Sequence, residues 1–293
     1  MHKSGFVNIV GLPNVGKSSL LNKITGERLS IISPKAQTTR SRLISIVNNE
    51  NYQIVFSDTP GYINQPAYEL QSSMNQFVHE AFEDADLIIL LTDRFQSFED
   101  QSFLIEQARK TARPVFVVIN KADLSTPEQL SKLYEAWSER LPEARCFSIS
   151  VKEDFNIKPL FEAVLPFLPE HEAYYSKEEI SDRSLRYFAS EIVREHVFLQ
   201  YDKEIPYACE VLTEEYKEGD KMDRIRCVIY VERESQKNIL IGSKGSAINN
   251  LGRAARLALE EFLGKKVFLD LFVKVRANWR ANDIDLKQFG YKS

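Results

Sequence analysis

Short apolar runs alternate with longer stretches of helical spacing through the first half of the chain. The runs fall at 6–10, 54–57, 87–92, 115–119 and 146–149, and helical patterns fall near 17–26, 68–83, 98–111, 127–140 and 158–165. Buried strands alternating with helices call for a parallel sheet covered on both faces. Residues 43–57 depart from that rhythm. There Leu43-Ile44-Ser45-Ile46-Val47 and Tyr52-Gln53-Ile54-Val55-Phe56 flank Asn48-Asn49-Glu50-Asn51, which reads as a hairpin and predicts one antiparallel edge strand. The expected fold is α/β, a mostly parallel six-stranded sheet with helices on both faces.

After Pro166-Phe167-Leu168-Pro169 the pattern changes. The charged, aromatic stretch that follows reads as a linker. A helix is predicted from about Asp182 to Leu199. A hairpin of Tyr207–Leu212 and Ile225–Val231 follows, turning at Glu218-Gly219-Asp220. Helical residues interrupted by Ile241-Gly242-Ser243-Lys244-Gly245 lead into a long helix over 246–263 and a strand over Val267–Val275. The expected division is a first domain at 1–168, a linker at 169–181 and a second, α+β domain of order α-β-β-α-α-β at 182–293.

Composition agrees with two folded parts: 293 residues, 43% hydrophobic and 27% charged, without low-complexity tracts. No apolar stretch approaches the ~20 residues that span a bilayer, and the N-terminus lacks the regions of a secretory signal. Three widely spaced cysteines then fit reduced thiols in a cytoplasmic protein. The four histidines form no spacing that suggests a transition-metal cage. Charge is uneven. Residues 241–280 carry a net +5, so the rest of the chain sums to −9 against the total of −4. A basic segment on an acidic protein points to an anionic partner for that segment.

The chemistry begins directly after the first strand. Residues Gly11-Leu12-Pro13-Asn14-Val15-Gly16-Lys17-Ser18, followed by Ser19, form the Gly-x4-Gly-Lys-Ser pattern between a strand and a helix. The glycines let backbone N–H groups turn inward around a polyphosphate, and Lys17 places an ammonium near the outer phosphates. Ser18 offers a hydroxyl to Mg²⁺, and the following helix points its positive end at the same anion. Further motifs also follow strands, where open α/β sheets bind ligands. In Asp58-Thr59-Pro60-Gly61, before Tyr62, the carboxylate can hold Mg²⁺ through water and the Gly61 N–H can sense a terminal phosphate. In Asn120-Lys121-Ala122-Asp123 the Asp123 carboxylate can accept from guanine N1–H and its exocyclic amine, a donor pair adenine lacks. Ser150-Val151-Lys152 places backbone N–H groups where the guanine oxygen would lie. The polar, aperiodic Pro34–Arg40 reads as a mobile loop, with Thr38 or Thr39 available to Mg²⁺ and to ordering by a γ-phosphate.

Together these motifs resemble the five-motif signature of the translation-factor-class GTPases, and Gly242-x-x-Gly245 between two helices resembles the type II KH domain. Over almost its whole length the chain resembles the Era family, within the TrmE-Era-EngA-Septin-like GTPases. The resemblance is carried by Gly11–Ser18, Gln37–Arg40, Asp58–Gly61, Asn120–Asp123 and Ile241–Gly245. It extends through Leu259–Phe262, Phe272–Val275, Asn278-Trp279-Arg280 and Leu286–Tyr291. It implies hydrolysis of GTP to GDP and phosphate, with Mg²⁺ held by Ser18, Thr39 and Asp58, and with Lys17, Gly61 and Asn14 serving the reaction. It implies that Asn14 lets K⁺ take the place of an arginine finger. It also implies binding of 16S ribosomal RNA near its 3′ end, through Ile241, Gly242, Ser243, Lys244, Gly245, Arg253, Lys274 and Arg276, during small-subunit (30S) assembly and 16S processing. The expected form is a cytoplasmic monomer with a fraction peripherally bound at the inner membrane face. Ras-like enzymes place a glutamine after Asp-x-x-Gly; here Tyr62 stands there, which predicts slow intrinsic turnover.

Overall fold

A computed structural model describes residues 2–292. The chain divides into two compact units. The first runs from the N-terminal end to Ser30 and includes Thr39–Ala67 and Gln71–Asp182; the second comprises Ile31–Thr38, Tyr68–Leu70 and the chain from Arg183 onward.

In the first unit, strands β1 (Lys3–Val10), β2 (Leu43–Asn48), β3 (Tyr52–Asp58), β4 (Leu87–Asp93), β5 (Val115–Asn120) and β6 (Arg145–Ser148) form one sheet. The order is β2-β3-β1-β4-β5-β6, parallel except for the β2–β3 hairpin, whose register pairs Leu43 with Asp58. Helices α1 (Lys17–Thr25), α2 (Glu69–Glu83), α3 (Ser102–Lys110) and α4 (Pro127–Arg140) connect the strands, and α5 (Ile157–Val164) follows the last of them. Every residue of β4 and β5 is buried, as expected for central strands covered on both faces. Their apolar side chains pack with Leu20, Val78, Leu104, Trp137 and Leu160 from the helices. The β2 edge is antiparallel because a turn as short as 49–51 cannot carry a parallel crossover. The outcome is the α/β sheet that the alternation predicts.

The second unit contains α6 (Leu185–Gln200), α7 (Ile205–Ala208), β7 (Glu210–Lys217), β8 (Met222–Val231), α8 (Glu234–Ile241), α9 (Ser246–Leu263), β9 (Lys266–Val275) and α10 (Asp283–Gln288). Its sheet is β7-β8-β9, with β7 antiparallel and β9 parallel to β8. Val193 and Val197 of α6 and Leu251, Ala255 and Leu259 of α9 close its core over Val211, Ile225, Cys227 and Ile229. One expectation needs correction. Tyr207 and Ala208 belong to a helical turn, not to the strand, because Pro206 sits in the first turn of α7, where its fixed φ favours helix. The C-terminal residues also join this unit: the buried Trp279 donates from Nε1 to Ala208 O at 2.9 Å, and Tyr291 OH donates to Glu210 Oε2 at 2.6 Å.

Candidate functional site

Strand β1 ends at Val10 and α1 begins at Lys17, so Gly11–Gly16 turns over the carboxyl end of the sheet. Gly16 has φ 100°, and a Cβ there would lie 2.4 Å from Asn120 Nδ2; both the backbone and the close approach require glycine. No side chain caps α1, so its first N–H groups remain available to an anion. Lys17 is buried and donates from Nζ to Gly11 O at 3.2 Å and Leu12 O at 2.9 Å. Burial pushes its ammonium down to about 8, and the nearby Asp58 charge opposes that shift.

Beside it three oxygen donors converge. Ser18 Oγ donates to Asp58 Oδ2 at 2.6 Å and lies 2.8 Å from Thr39 Oγ1. Ser30 Oγ donates to the same carboxylate oxygen at 3.1 Å. Asp58 is fully buried; burial raises its pKa, and the Ser18 hydrogen bond and the Lys17 charge pull against it. Its Oδ1 has no hydrogen-bond partner among the described residues. Two hydroxyls and a buried carboxylate with a spare oxygen suit a hard, oxygen-seeking divalent cation such as Mg²⁺. Thr38 bonds elsewhere, to Ser33 Oγ at 2.8 Å and Lys35 O at 2.7 Å.

The segment read as a mobile loop is held by side chains. Within the second unit Lys35 Nζ donates to Phe198 O at 2.7 Å and pairs with Asp202 at 2.8 Å, while Ile32 N–H donates to Glu195 Oε1 at 2.9 Å. These partners lie more than 160 residues away in sequence, so no local pattern could announce them. After Asp58, Thr59 Oγ1 donates to Ile9 O at 2.8 Å, and the buried Pro60 and Gly61 follow. The Tyr62 N–H donates to Gly11 O at 3.1 Å, and its ring stacks on Phe103 with centroids 4.1 Å apart.

Asn120 and Lys121, expected at the base, are fastened to the Gly11–Ser18 loop. Asn120 Nδ2 donates to Val15 O at 2.8 Å, and Asn120 Oδ1 accepts from Val151 N–H at 3.2 Å. Lys121 Nζ donates to Asn14 O at 2.9 Å. Ser150 Oγ donates to Asp123 Oδ1 at 2.6 Å, which orients the carboxylate that the sequence expects to meet guanine. Lys152 is exposed and pairs with Glu153. Sequence reasoning missed Ser30, and it missed Asp93, whose Oδ2 lies 2.6 Å from Lys121 Nζ. Asp93 carried one available signal: like Asp58 and Asn120 it ends a strand at the sheet's carboxyl edge.

In the second unit Gly242 has φ 71°, and a Cβ there would lie 2.9 Å from Ala247 N and 2.6 Å from its Cβ. The α8–α9 turn therefore excludes a side chain at 242. Ser243 and Lys244 are exposed at its tip, with Ile241 and Gly245 half-buried beside them. Much of the +5 segment is neutralised by acids from other elements. Lys265 pairs with Asp223, Lys274 with Glu214, Arg276 with Asp285 and Arg280 with Glu232. Within the segment, Arg256 and Lys266 share Glu260. Among the described residues Lys244 and Arg253 carry no ion pair, and both are exposed.

A phosphate loop, an Asp-x-x-Gly turn and an Asn-Lys-x-Asp turn on one sheet edge define a P-loop GTPase, here continued into a KH-type α-β-β-α-α-β domain. Residues 6–121 match the 50S ribosome-binding GTPase family and residues 204–280 the KH domain family. GTPase Era of Elusimicrobium minutum is 41% identical over 99% of this chain and 97% of its own length. That of Clostridium kluyveri is 38% identical over the whole of both chains. Among solved structures, an Era in complex with MgGDPNP and nucleotides 1506–1542 of 16S ribosomal RNA is 37% identical and superposes with a TM-score of 0.95 over the whole of both chains. A variant of Aquifex aeolicus Era bound to GDP.AlF4- superposes at 0.94, with 37% identity over 99% of this chain and all of its own. The chain belongs to the Era family of GTPases. Among the described residues no helix is long and apolar enough to cross a membrane.

Proposed function

We propose that this GTPase uses Mg²⁺ to hold GTP at Ser18, Thr39 and Asp58, and binds the 3′ region of 16S ribosomal RNA through its KH turn to assist small-subunit assembly. The observation that carries the reading is one polypeptide with both a three-oxygen cation pocket beside a buried lysine and a glycine-shaped turn tipped by an exposed lysine. In the reaction Lys17 and the backbone N–H groups of the phosphate loop and Gly61 offset charge developing on the γ-phosphate. Mg²⁺, when bound, supplies further neutralisation of the β- and γ-phosphate oxygens. The Ser18 and Thr39 hydroxyls and the Asp58 carboxylate would hold it. The relatives' complexes with MgGDPNP, GDP.AlF4- and 16S RNA nucleotides support the ligand classes.

Crosslinking followed by sequencing of bound RNA, in GDP and in a non-hydrolysable GTP analogue, tests the RNA assignment. Reads should concentrate near the 3′ end of 16S RNA; an even spread over ribosomal RNA rejects it. The unpaired Lys244 and Arg253 should contact phosphates. Replacing either by alanine should lower the slope of log affinity against log salt by roughly 0.7, the value for one phosphate contact on a single strand.

Hydrolysis in this reading is assisted by K⁺ near Asn14, whose left-handed backbone (φ 64°) sets the turn of the phosphate loop. Turnover in KCl should exceed that in NaCl at equal ionic strength. Equal rates would leave Tyr62 and the loop without a monovalent cation to complement them.

A further inference from the structure

We propose that Asp93 is a positioning residue for nucleotide binding: it pins Lys121 as a charged strap between the base-recognition turn and the phosphate loop. Two straps run side by side. The Asn120 amide donates to Val15 O and the Lys121 ammonium to Asn14 O, which are consecutive carbonyls of the phosphate loop. The first is short, neutral and held by Val151 N–H at its other end. The second sits on a flexible four-carbon stem, and an ammonium prefers water to a lone carbonyl.

Asp93 resolves this. It is the last residue of β4, its side chain is fully buried, and its Oδ2 lies 2.6 Å from Lys121 Nζ. Its other oxygen accepts the Phe95 N–H at 2.8 Å, so the carboxylate is itself fixed by the turn that follows the strand. Register places it there: β4 pairs in parallel with β5, and Asp93 stands opposite Asn120. A buried carboxylate needs a counter-charge, and the lysine needs an anchor, so each holds the other. The backbone beyond Asn14 leads to Gly16 and Lys17, so a loosened strap would disturb phosphate and base binding together. Asp93 touches no nucleotide in this scheme; it acts through Lys121.

The proposal rests on the guanine-binding reading of Asn120–Asp123, which GDP binding by the unaltered protein tests separately. The experiment is a double-substitution cycle on the full chain, reading the GDP dissociation rate and the melting temperature. Asp93→Asn keeps the shape and the acceptor for Phe95 N–H, and should release GDP roughly tenfold faster, as expected when the lysine loses its buried counter-charge. Lys121→Met should do the same or more. The double variant should release GDP no more than about twofold faster than Lys121→Met alone, because the two residues act as one unit. Multiplicative effects, or an unchanged rate for Asp93→Asn, overturn the proposal and leave Asp93 a matter of stability alone. Should Asp93→Asn fail to fold, Asp93→Ser, which also retains an acceptor for the Phe95 N–H, carries the same cycle.

Discussion

Replacing Lys17 with methionine should lower single-turnover GTP hydrolysis by about 10²–10³-fold, the usual loss when one preorganised charge-stabilising donor is removed. The reason lies in how the protein holds this side chain. It is buried, it donates to two loop carbonyls, and burial has already pushed its ammonium down to about 8. A polyphosphate alongside favours the charged form, so the lysine's preference for anions grows as charge gathers on the γ-phosphate. Methionine fills much of the same space without the charge, which separates lost chemistry from lost packing. Circular dichroism should confirm the fold. Hydrolysis within about threefold of the unaltered protein would remove Lys17 from the mechanism.

The second large effect concerns the base. Asp123→Asn should weaken guanine nucleotide binding by roughly 10- to 150-fold, corresponding to about 1.5–3 kcal/mol for a hydrogen bond to a charged acceptor. The same change should raise affinity for xanthosine diphosphate, because an amide donates where the carboxylate only accepted and xanthine presents an oxygen in place of the amine. Ser150 Oγ, which now donates to Asp123 Oδ1 at 2.6 Å, has an acceptor in the asparagine carbonyl, so orientation survives. Competition calorimetry with the two diphosphates measures both changes. Retained preference for guanine would place base recognition on other groups.

The strands and the motif loops were legible because each rests on a local pattern. The buried runs at 87–92 and 115–119 are β4 and β5, and the Gly-x4-Gly-Lys-Ser spacing lies between β1 and α1. Local patterns failed where the deciding partner was distant. The polar segment 34–40 has no periodicity, yet Lys35 donates to the Phe198 carbonyl of α6 and Thr38 bonds to Ser33. The segment 241–280 carries a net +5 in the sequence, but ion pairs with acids of β7, β8 and α10 cancel much of it. Tyr207-Ala208 carried strand-like residues, and the proline before them decided for a turn of helix.

The amino-acid order alone determined the α/β sheet, the second α+β module, the placement of the Gly-x4-Gly-Lys-Ser and Asn-Lys-x-Asp loops after their strands, and the family resemblance. Each of these follows from side-chain periodicity or from residues a few positions apart. Only tertiary structure decided that Lys244 and Arg253 carry unpaired charge among the described residues, and that Asp93 lies against Lys121. Those facts depend on through-space distances between residues brought together by sheet register and helix packing, and nothing in the spacing along the chain encodes them.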